Sequence, residues 1–464
     1  MPNMSLTKVP VEEQEPLVRN KNFLEVTMCY TPEQAIEEAR RCLNCKNKPC
    51  VAGCPVNVRI PEFVAKVSKG DFKAAYEIIS DTNALPCVSG RVCPQENQCE
   101  ERCVRGIKGE AVAIGRLERF VADWYLKHGD AILEKPRSNG VKVAVVGSGP
   151  AGLTCASDLA KRGYVVTIFE AFHTAGGVLV YGIPEFRLPK AIVQSEVEKL
   201  KALGVEIRLD VVVGRTITID ELMEEGYQAI FVGSGAGLPM FMGIEGESLA
   251  GVYSANEYLT RVNLMKAYLN DRDTPLRRSK AVAVVGGGNV AMDAARCAKR
   301  LGAEKVYLLY RRDEEEMPAR REEVNHAKEE EVDFRLLSNP VRILGNEKGQ
   351  VCKIECVRMR LQAPDKSGRC SPREVPGSNF SLNVDTVVMA LGTSPNPLIR
   401  STTPGLEANR NGCLMVDEDT MKTTRDGVYA GGDAVTGAAT VILAMGAGKK
   451  AAQAIDEHLQ AKQA

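Results

Sequence analysis

Val143-Ala-Val-Val-Gly-Ser-Gly-Pro-Ala-Gly152 decides the fold of this chain. A short β-branched run that ends in Gly147, Gly149 and Gly152 predicts a buried parallel strand turning sharply into a helix. Gly147 permits the tight turn, Gly149 lets the backbone approach a pyrophosphate, and Gly152 lets helix and strand pack closely, so the helix N-terminus can receive an anion. The helix (Leu153–Arg162) leads to a second strand, Val165–Phe169, ending in Glu170, an acid placed to read ribose hydroxyls.

The pattern returns further on. Ala281-Val-Ala-Val-Val-Gly286-Gly-Gly288-Asn289-Val290-Ala291 is a second strand–glycine–helix unit, followed by a strand at Val306–Tyr310. Where the first unit carries Glu170, the second carries Arg311-Arg312. A guanidinium takes a 2′-phosphate bidentately and an acid repels it, so the second site is expected to prefer NADP over NAD. Glu314, Glu315 and Glu316 are placed to compensate the arginines.

A length of 464 residues corresponds to about three domains. Acidic and basic side chains balance at 60 each, which gives no electrostatic case for nucleic acid or an anionic membrane. No apolar run is long enough to span a bilayer, and Glu12, Glu13 and Glu15 stand where a signal peptide would be apolar, so a cytoplasmic location is expected.

Eight of the 15 cysteines lie between Cys42 and Cys103. Cys42-Leu-Asn-Cys45, Cys50 and Cys54-Pro55 form one group, and Cys87, Cys93-Pro94, Cys99 and Cys103 a second. In a reducing compartment this spacing favours soft-metal ligation over disulfides, and the Cys-Pro endings favour iron–sulfur over zinc. Eight thiolates are enough for two cubane clusters. Flanking helices are predicted from Thr31-Pro32, over Ile60–Ile79 with a break at Gly70-Asp71, and over Ala113–Leu126; Glu134–Gly140 reads as a linker.

After the first fingerprint come Gly176-Gly177 and Tyr181-Gly-Ile-Pro-Glu-Phe-Arg-Leu-Pro189, with no cysteine pair, which argues against thiol–disulfide chemistry at a flavin. Strands are expected at Val205–Leu209, Val211–Val213, Ala229–Val232 before Gly235, Val384–Leu391 before Gly392, and Gly427–Ala430 before Gly431-Gly432-Asp433; Val341–Met359 reads as a meander. Glu322–Glu331 reads as a solvated acidic helix, and Thr440-Val441 opens the last one.

These motifs together resemble the small subunit of NADPH-dependent glutamate synthase and its relatives, which include the large subunit of NADH-dependent ferredoxin:NADP oxidoreductase and the N-terminal part of dihydropyrimidine dehydrogenase. The resemblance implies an α/β chain in which an N-terminal helical domain with two 4Fe-4S clusters (1–138) precedes an FAD domain (139–236 and 385–464) interrupted by an NADPH domain (237–384). It implies that Cys42, Cys45, Cys50 and Cys103 hold one cluster and Cys54, Cys93 and Cys99 the other. The fourth ligand of the latter falls on Glu118, where dihydropyrimidine dehydrogenase has glutamine; Ser89 stands where the family often has a cysteine, and Cys87 is spare. For FAD it implies Gly147, Gly149, Pro150, Ala151, Gly152, Glu170, Gly177, Val213, Gly235, Gly392, Gly432, Asp433, Thr440 and Val441. For NADPH it implies Gly286, Gly288, Asn289, Val290, Ala291, Arg311 and Arg312. No acid–base residue is named as catalytic.

The expected role is an electron module linking NADPH, FAD and the clusters to a partner subunit. That partner would be a glutamate synthase large chain or a small FAD/2Fe-2S chain with ferredoxin as further partner, and the cysteine spacing and length favour the second. A stand-alone NADPH oxidoreductase and a non-enzymatic redox sensor are the alternatives.

Overall fold

The computed structural model describes residues 3–129, 135–364 and 370–463. Glu134, the first residue of the expected linker, lies outside them. No helix among the described residues is long and apolar enough to cross a membrane.

The N-terminal third is helical: α1 (Pro32–Ala39), α2 (Ile60–Val67), α3 (Phe72–Ser80), α4 (Pro86–Val92) and α5 (Ile114–His128). Thr31 caps α1 in a capping box with Gln34, and Asp71 caps α3 after the break at Gly70. Phe63, Val67, Ile79, Leu85, Leu117 and Val121 bury their side chains between these helices.

Two parallel sheets follow. The first has strand order β12-β4-β1-β2-β3, where β1 is Lys142–Val146, β2 Val165–Phe169, β3 Glu206–Arg208, β4 Tyr227–Val232 and β12 Val428–Ala430. Helices α6 (Pro150–Lys161), α7 (Lys190–Ala202) and α10 (Val441–Gln463) accompany it. The second sheet has order β5-β11-β6-β7-β8, where β5 is Val252–Ser254, β6 Ala281–Val285, β7 Lys305–Leu309, β8 Asp333–Arg335 and β11 Thr386–Met389. Helices α8 (Asn289–Arg300) and α9 (Arg321–Glu329) belong to it, and β9 (Ser338–Gly345) and β10 (Val351–Pro364) form the antiparallel meander. Both sheets read as near-continuous apolar runs because each is covered on two faces.

Three expectations are corrected. Thr386–Met389, assigned from sequence to the FAD part, pairs with Val282–Val285 in the second sheet. The chain therefore returns later, where Leu238–Pro239 on the way out pairs with Thr393–Ser394 on the way back. Val211–Val213 is no strand: Asp210 adopts a left-handed φ of 59° and bends the chain, leaving an isolated Val213–Ile217 bridge.

The acidic helix α9 is not a solvated face. Glu330, just past its end, is fully buried and receives Arg19 Nε at 2.9 Å, Arg296 at 2.8 Å and Arg300 at 2.5 Å. Burial raises the carboxyl of Glu330, but Arg300 and Arg296 outweigh it and hold it down at about 2. Replacing Glu330 by Gln leaves the buried Arg300 without a carboxylate partner among the described residues and takes one from Arg19 and Arg296, and we expect a loss of about 3–5 kcal/mol in thermal or denaturant unfolding. Because the folded pKa is depressed below 4.5, this stabilisation is present above about pH 4.5 and fades as pH falls toward 2. A melting curve of E330Q that lacks this acid sensitivity, and wild-type protein that retains it, is the expected pair of results.

Candidate functional site: two nucleotide turns and two cysteine groups

At the first turn Gly147 has φ 95°, and a Cβ there would lie 2.7 Å from the Gly233 carbonyl oxygen. A Cβ on Gly152 would strike the Gly147 carbonyl oxygen, so both positions demand glycine. Gly149 is different, since a side chain there would meet open space. It caps α6 with no side-chain hydrogen bond among the described residues, and Pro150 has no N–H to leave unpaired. The open cradle and the free amides of Ala151 and Gly152 fit a pyrophosphate.

Of the other implied FAD residues, Gly177 and Gly432 adjoin this cradle. Gly177 lies so close that its Cβ would be 2.9 Å from Gly149 Cα, and a Cβ on Gly432 would be 3.0 Å from that of Ala151. Asp433 follows Gly432, and burial raises its carboxyl to about 6, opposed by the Ala439 N–H at 3.2 Å. The Tyr181 hydroxyl is pushed to about 12 by burial, with the charges of Glu170 and Asp433 acting in the same sense. Thr440 Oγ1 accepts from the Leu443 N–H and starts α10 beside Val441. Gly235 and Gly392, both at positive φ, flank the crossing ribbon with open space at each Cα. Val213 buries its side chain in the apolar core, leaving its main chain for any ligand.

Glu170 is buried, and its oxygens are already engaged: Oε2 accepts from the Ser148 N–H at 2.9 Å and from the Ser148 hydroxyl, and Oε1 accepts from the Phe172 N–H at 2.9 Å. It therefore braces the glycine turn as well as ending β2. The Ser148 hydroxyl also accepts from the Gly176 N–H at 2.9 Å, a role carried by the variable position of the glycine motif.

In the second turn, Gly286 has φ 145° and packs on the Ala390 carbonyl, while Gly288 caps α8 with Pro318 Cγ 3.9 Å from its Cβ position. Asn289 Oδ1 accepts from the Arg320 N–H at 2.9 Å; Val290 is exposed and Ala291 buried. The arginine pair is divided. Arg311 is exposed, whereas Arg312 is buried and donates from Nε to the Cys370 carbonyl oxygen at 3.0 Å. Among the described residues no ion pair joins these arginines to the glutamates that follow: Glu314 pairs with Lys328 at 2.6 Å, and the Glu316 side chain accepts from the Asp313 N–H.

Cys42, Cys45, Cys50 and Cys103 line one pocket with Leu43, Ile60, Val64, Val112 and Ile114. Burial raises the Cys42 thiol and lifts Cys50 to about 11, so thiolates here need a cation to exist at neutral pH. Four soft ligands in an apolar wall fit a four-iron cluster. The thiols of Cys93 and Cys99 are pushed well up by burial, with Glu118 and Cys54 acting in the same direction, which marks these four side chains as one group. Glu118 projects from α5, and burial raises its carboxyl to about 7, opposed by Ser89 and Asn83. Both donate to a single oxygen, Oε1, at 2.5 and 2.8 Å. Oε2 has no such partner among the described residues, and three thiols with one free carboxylate oxygen fit a second cluster.

Cys87 is fully buried elsewhere, its N–H bonded to Glu196 of α7 at 2.9 Å. Pro55, next to Cys54, lies against α10, where a Cβ on Gly446 would be 2.9 Å from the Pro55 oxygen. The Glu118 group thus adjoins the helix that starts at the FAD cradle. Ser89, Asn83 and Ser148 were not foreseen as polar supports; Ser89 alone carried a signal, as the departure from a family cysteine.

This architecture, a cysteine-rich helical domain followed by two dinucleotide turns, defines an iron–sulfur pyridine-nucleotide oxidoreductase. Residues 19–130 match the family described as dihydropyrimidine dehydrogenase domain II, 4Fe-4S cluster, and residues 141–454 match pyridine nucleotide-disulphide oxidoreductase. Similar chains include the glutamate synthase [NADPH] small chains of Halomonas elongata, 38% identical over 97% of this chain and 96% of that one, and of Escherichia coli, 35% identical over 98% of each. The chain belongs to the glutamate synthase small-chain family. It is also 41% identical, over 89% of its length, to the NADP(+)-dependent formate dehydrogenase subunit beta of Moorella thermoacetica, of which it spans 60%. Mycobacterium tuberculosis FprA in complex with NADPH shares the fold at TM-score 0.58 and 19% identity, over 70% of this chain and 86% of that one.

Replacing Glu118 by Ala should remove about half of the bound iron and leave FAD content intact. Unchanged iron and unchanged EPR signals would contradict the assignment.

Proposed function

We propose that this protein is the NADPH-oxidising, electron-delivering subunit of a larger enzyme of the glutamate synthase type, holding FAD and two 4Fe-4S clusters. The observation that supports this reading is the contact of Pro55, next to Cys54 of the Glu118 cysteine group, with Gly446 of α10, the helix that begins beside the FAD cradle. Residues to about 138 hold the clusters, those to 236 and after the return ribbon hold FAD, and those between hold NADPH. When bound, a flavin accepts electrons in pairs and releases them singly, the conversion needed between a nicotinamide and iron–sulfur centres.

The chain's own residues supply position and charge. The α6 N-terminus and Gly149 support the FAD pyrophosphate, and Asp433 supports a ribityl hydroxyl. The α8 N-terminus supports the NADPH pyrophosphate. Arg311, exposed at the end of β7, takes the 2′-phosphate, with Arg312 fixed beside it by the Cys370 carbonyl. No segment resembles a glutaminase or an FMN barrel, so the acceptor chemistry lies on the partner.

The Moorella relative supports a second reading, in which the same module serves another redox enzyme. Anaerobic native purification with mass spectrometry separates the two: a large FMN amidotransferase chain is the expected companion, and a different catalytic subunit would establish the alternative.

Replacing Arg311 and Arg312 together by Ser should raise KM for NADPH by about ten- to a hundredfold while sparing NADH. An equal loss with both nucleotides would sink the phosphate assignment.

A further inference from the structure

The segment Tyr181–Pro189 does more than line the flavin side of the molecule. Ile183 and Leu188 are buried in the core shared by the helical domain and the first sheet, whereas Phe186 between them is buried in the core of the second sheet, with Ala291, Ala294 and Ala295 of α8. The guanidinium groups of Arg296 and Arg300 lie over the Phe186 ring at 4.7 and 3.8 Å. At its start the segment is held by Asn263, whose amide donates to the Gly182 carbonyl at 3.0 Å.

Arg187 completes the grip. It is buried, its Nη1 meets both oxygens of Asp293 at 2.7 and 2.8 Å, and its Nε lies 2.9 Å from Glu323. Asp293 stands four residues into α8 from Asn289, one helical turn from the amides assigned to the NADPH pyrophosphate. A displacement of this pair therefore moves the pyrophosphate end of α8 relative to Tyr181, whose ring packs edge-on against Phe172 at 5.5 Å, the residue whose N–H binds Glu170.

We infer that Arg187 is a positioning residue for reduction of FAD by NADPH: by gripping Asp293 it sets where the nicotinamide half of the nucleotide meets the flavin. This rests on the reading that NADPH at the second turn reduces FAD at the first. In that reaction the C4–H bond of the dihydronicotinamide breaks, two electrons and a proton pass to the isoalloxazine, and NADP+ is released. Arg187 neither donates nor accepts a proton; it holds a distance on which transfer depends steeply.

The test compares wild type with R187Q, R187K and D293N, measuring stopped-flow flavin reduction at saturating NADPH, the dissociation constant of 2′,5′-ADP, and the long-wavelength charge-transfer absorbance formed when NADP+ is added to the reduced protein. R187Q and D293N should slow reduction about ten- to a hundredfold and weaken the charge-transfer band, with 2′,5′-ADP affinity and FAD content within about twofold of wild type. R187K, which keeps the charge but not the fork, should fall between. D293N preserves side-chain shape and serves as the folded control should R187Q lose FAD. Normal rates and an unaltered band in D293N, or losses shared equally by rate and 2′,5′-ADP affinity, overturn the inference. Wild-type flavin that NADPH fails to reduce overturns instead the functional reading beneath it.

Discussion

A fully buried carboxylate, Glu330, surrounded by Arg19, Arg296 and Arg300, is the constraint on which the arrangement of the molecule depends. A charge so buried is tolerated only with partners, and these partners come from separate parts of the chain. Arg19 ends a short helix, Pro16–Arg19, near the start of the helical domain. Arg296 also meets Glu323, which meets Arg187 of the flavin-side segment. Val26 donates its N–H to the Phe186 carbonyl at 3.0 Å and packs in the same core. The second sheet is thereby tied to both the N-terminal strand of chain and the first sheet, and the hydrophobic cores alone would not define that relation, since apolar burial has no direction.

Within this frame, function rests on what the backbone leaves open. Both dinucleotide turns place glycine where a side chain would collide with a carbonyl, and Gly149 leaves space where a phosphate would sit. The cysteine groups follow the opposite principle: apolar walls raise the thiols, so a metal that favours thiolate has a large effect on their state. As the proposed fourth ligand, Glu118 would be a harder donor than a thiolate, held at one oxygen by Ser89 and Asn83. Such a ligand would shift the potential of the cluster proposed there.

Much of this was legible in the sequence because it depends on local pattern. Gly147, Gly149 and Gly152 encode a turn within ten residues, and Thr31, Gly70 and Asp71 punctuate helices by their own backbone preferences. Apart from Val211–Val213, where the left-handed Asp210 bends the chain locally, the misreadings share one cause. Glu323 and Glu330 look solvated beside their neighbours, yet their partners, Arg187 and Arg19, lie more than a hundred residues away. Thr386–Met389 looks like the start of the returning domain, although its pairing with β6 is a long-range choice. Arg187, between two prolines, gave no sign of a role because its salt bridge crosses between sheets. The Arg311-Arg312 pair looked equivalent until Cys370, on the far side of the meander, took one of them.

We propose that two four-iron clusters, one completed by Glu118, share this chain with one flavin. Iron, acid-labile sulfide and FAD determined together on anaerobically purified protein test it most directly. Two such clusters give about eight irons and eight sulfides per FAD. About four irons per FAD, with the cysteines of one group free to react with a thiol reagent in the folded protein, would contradict it.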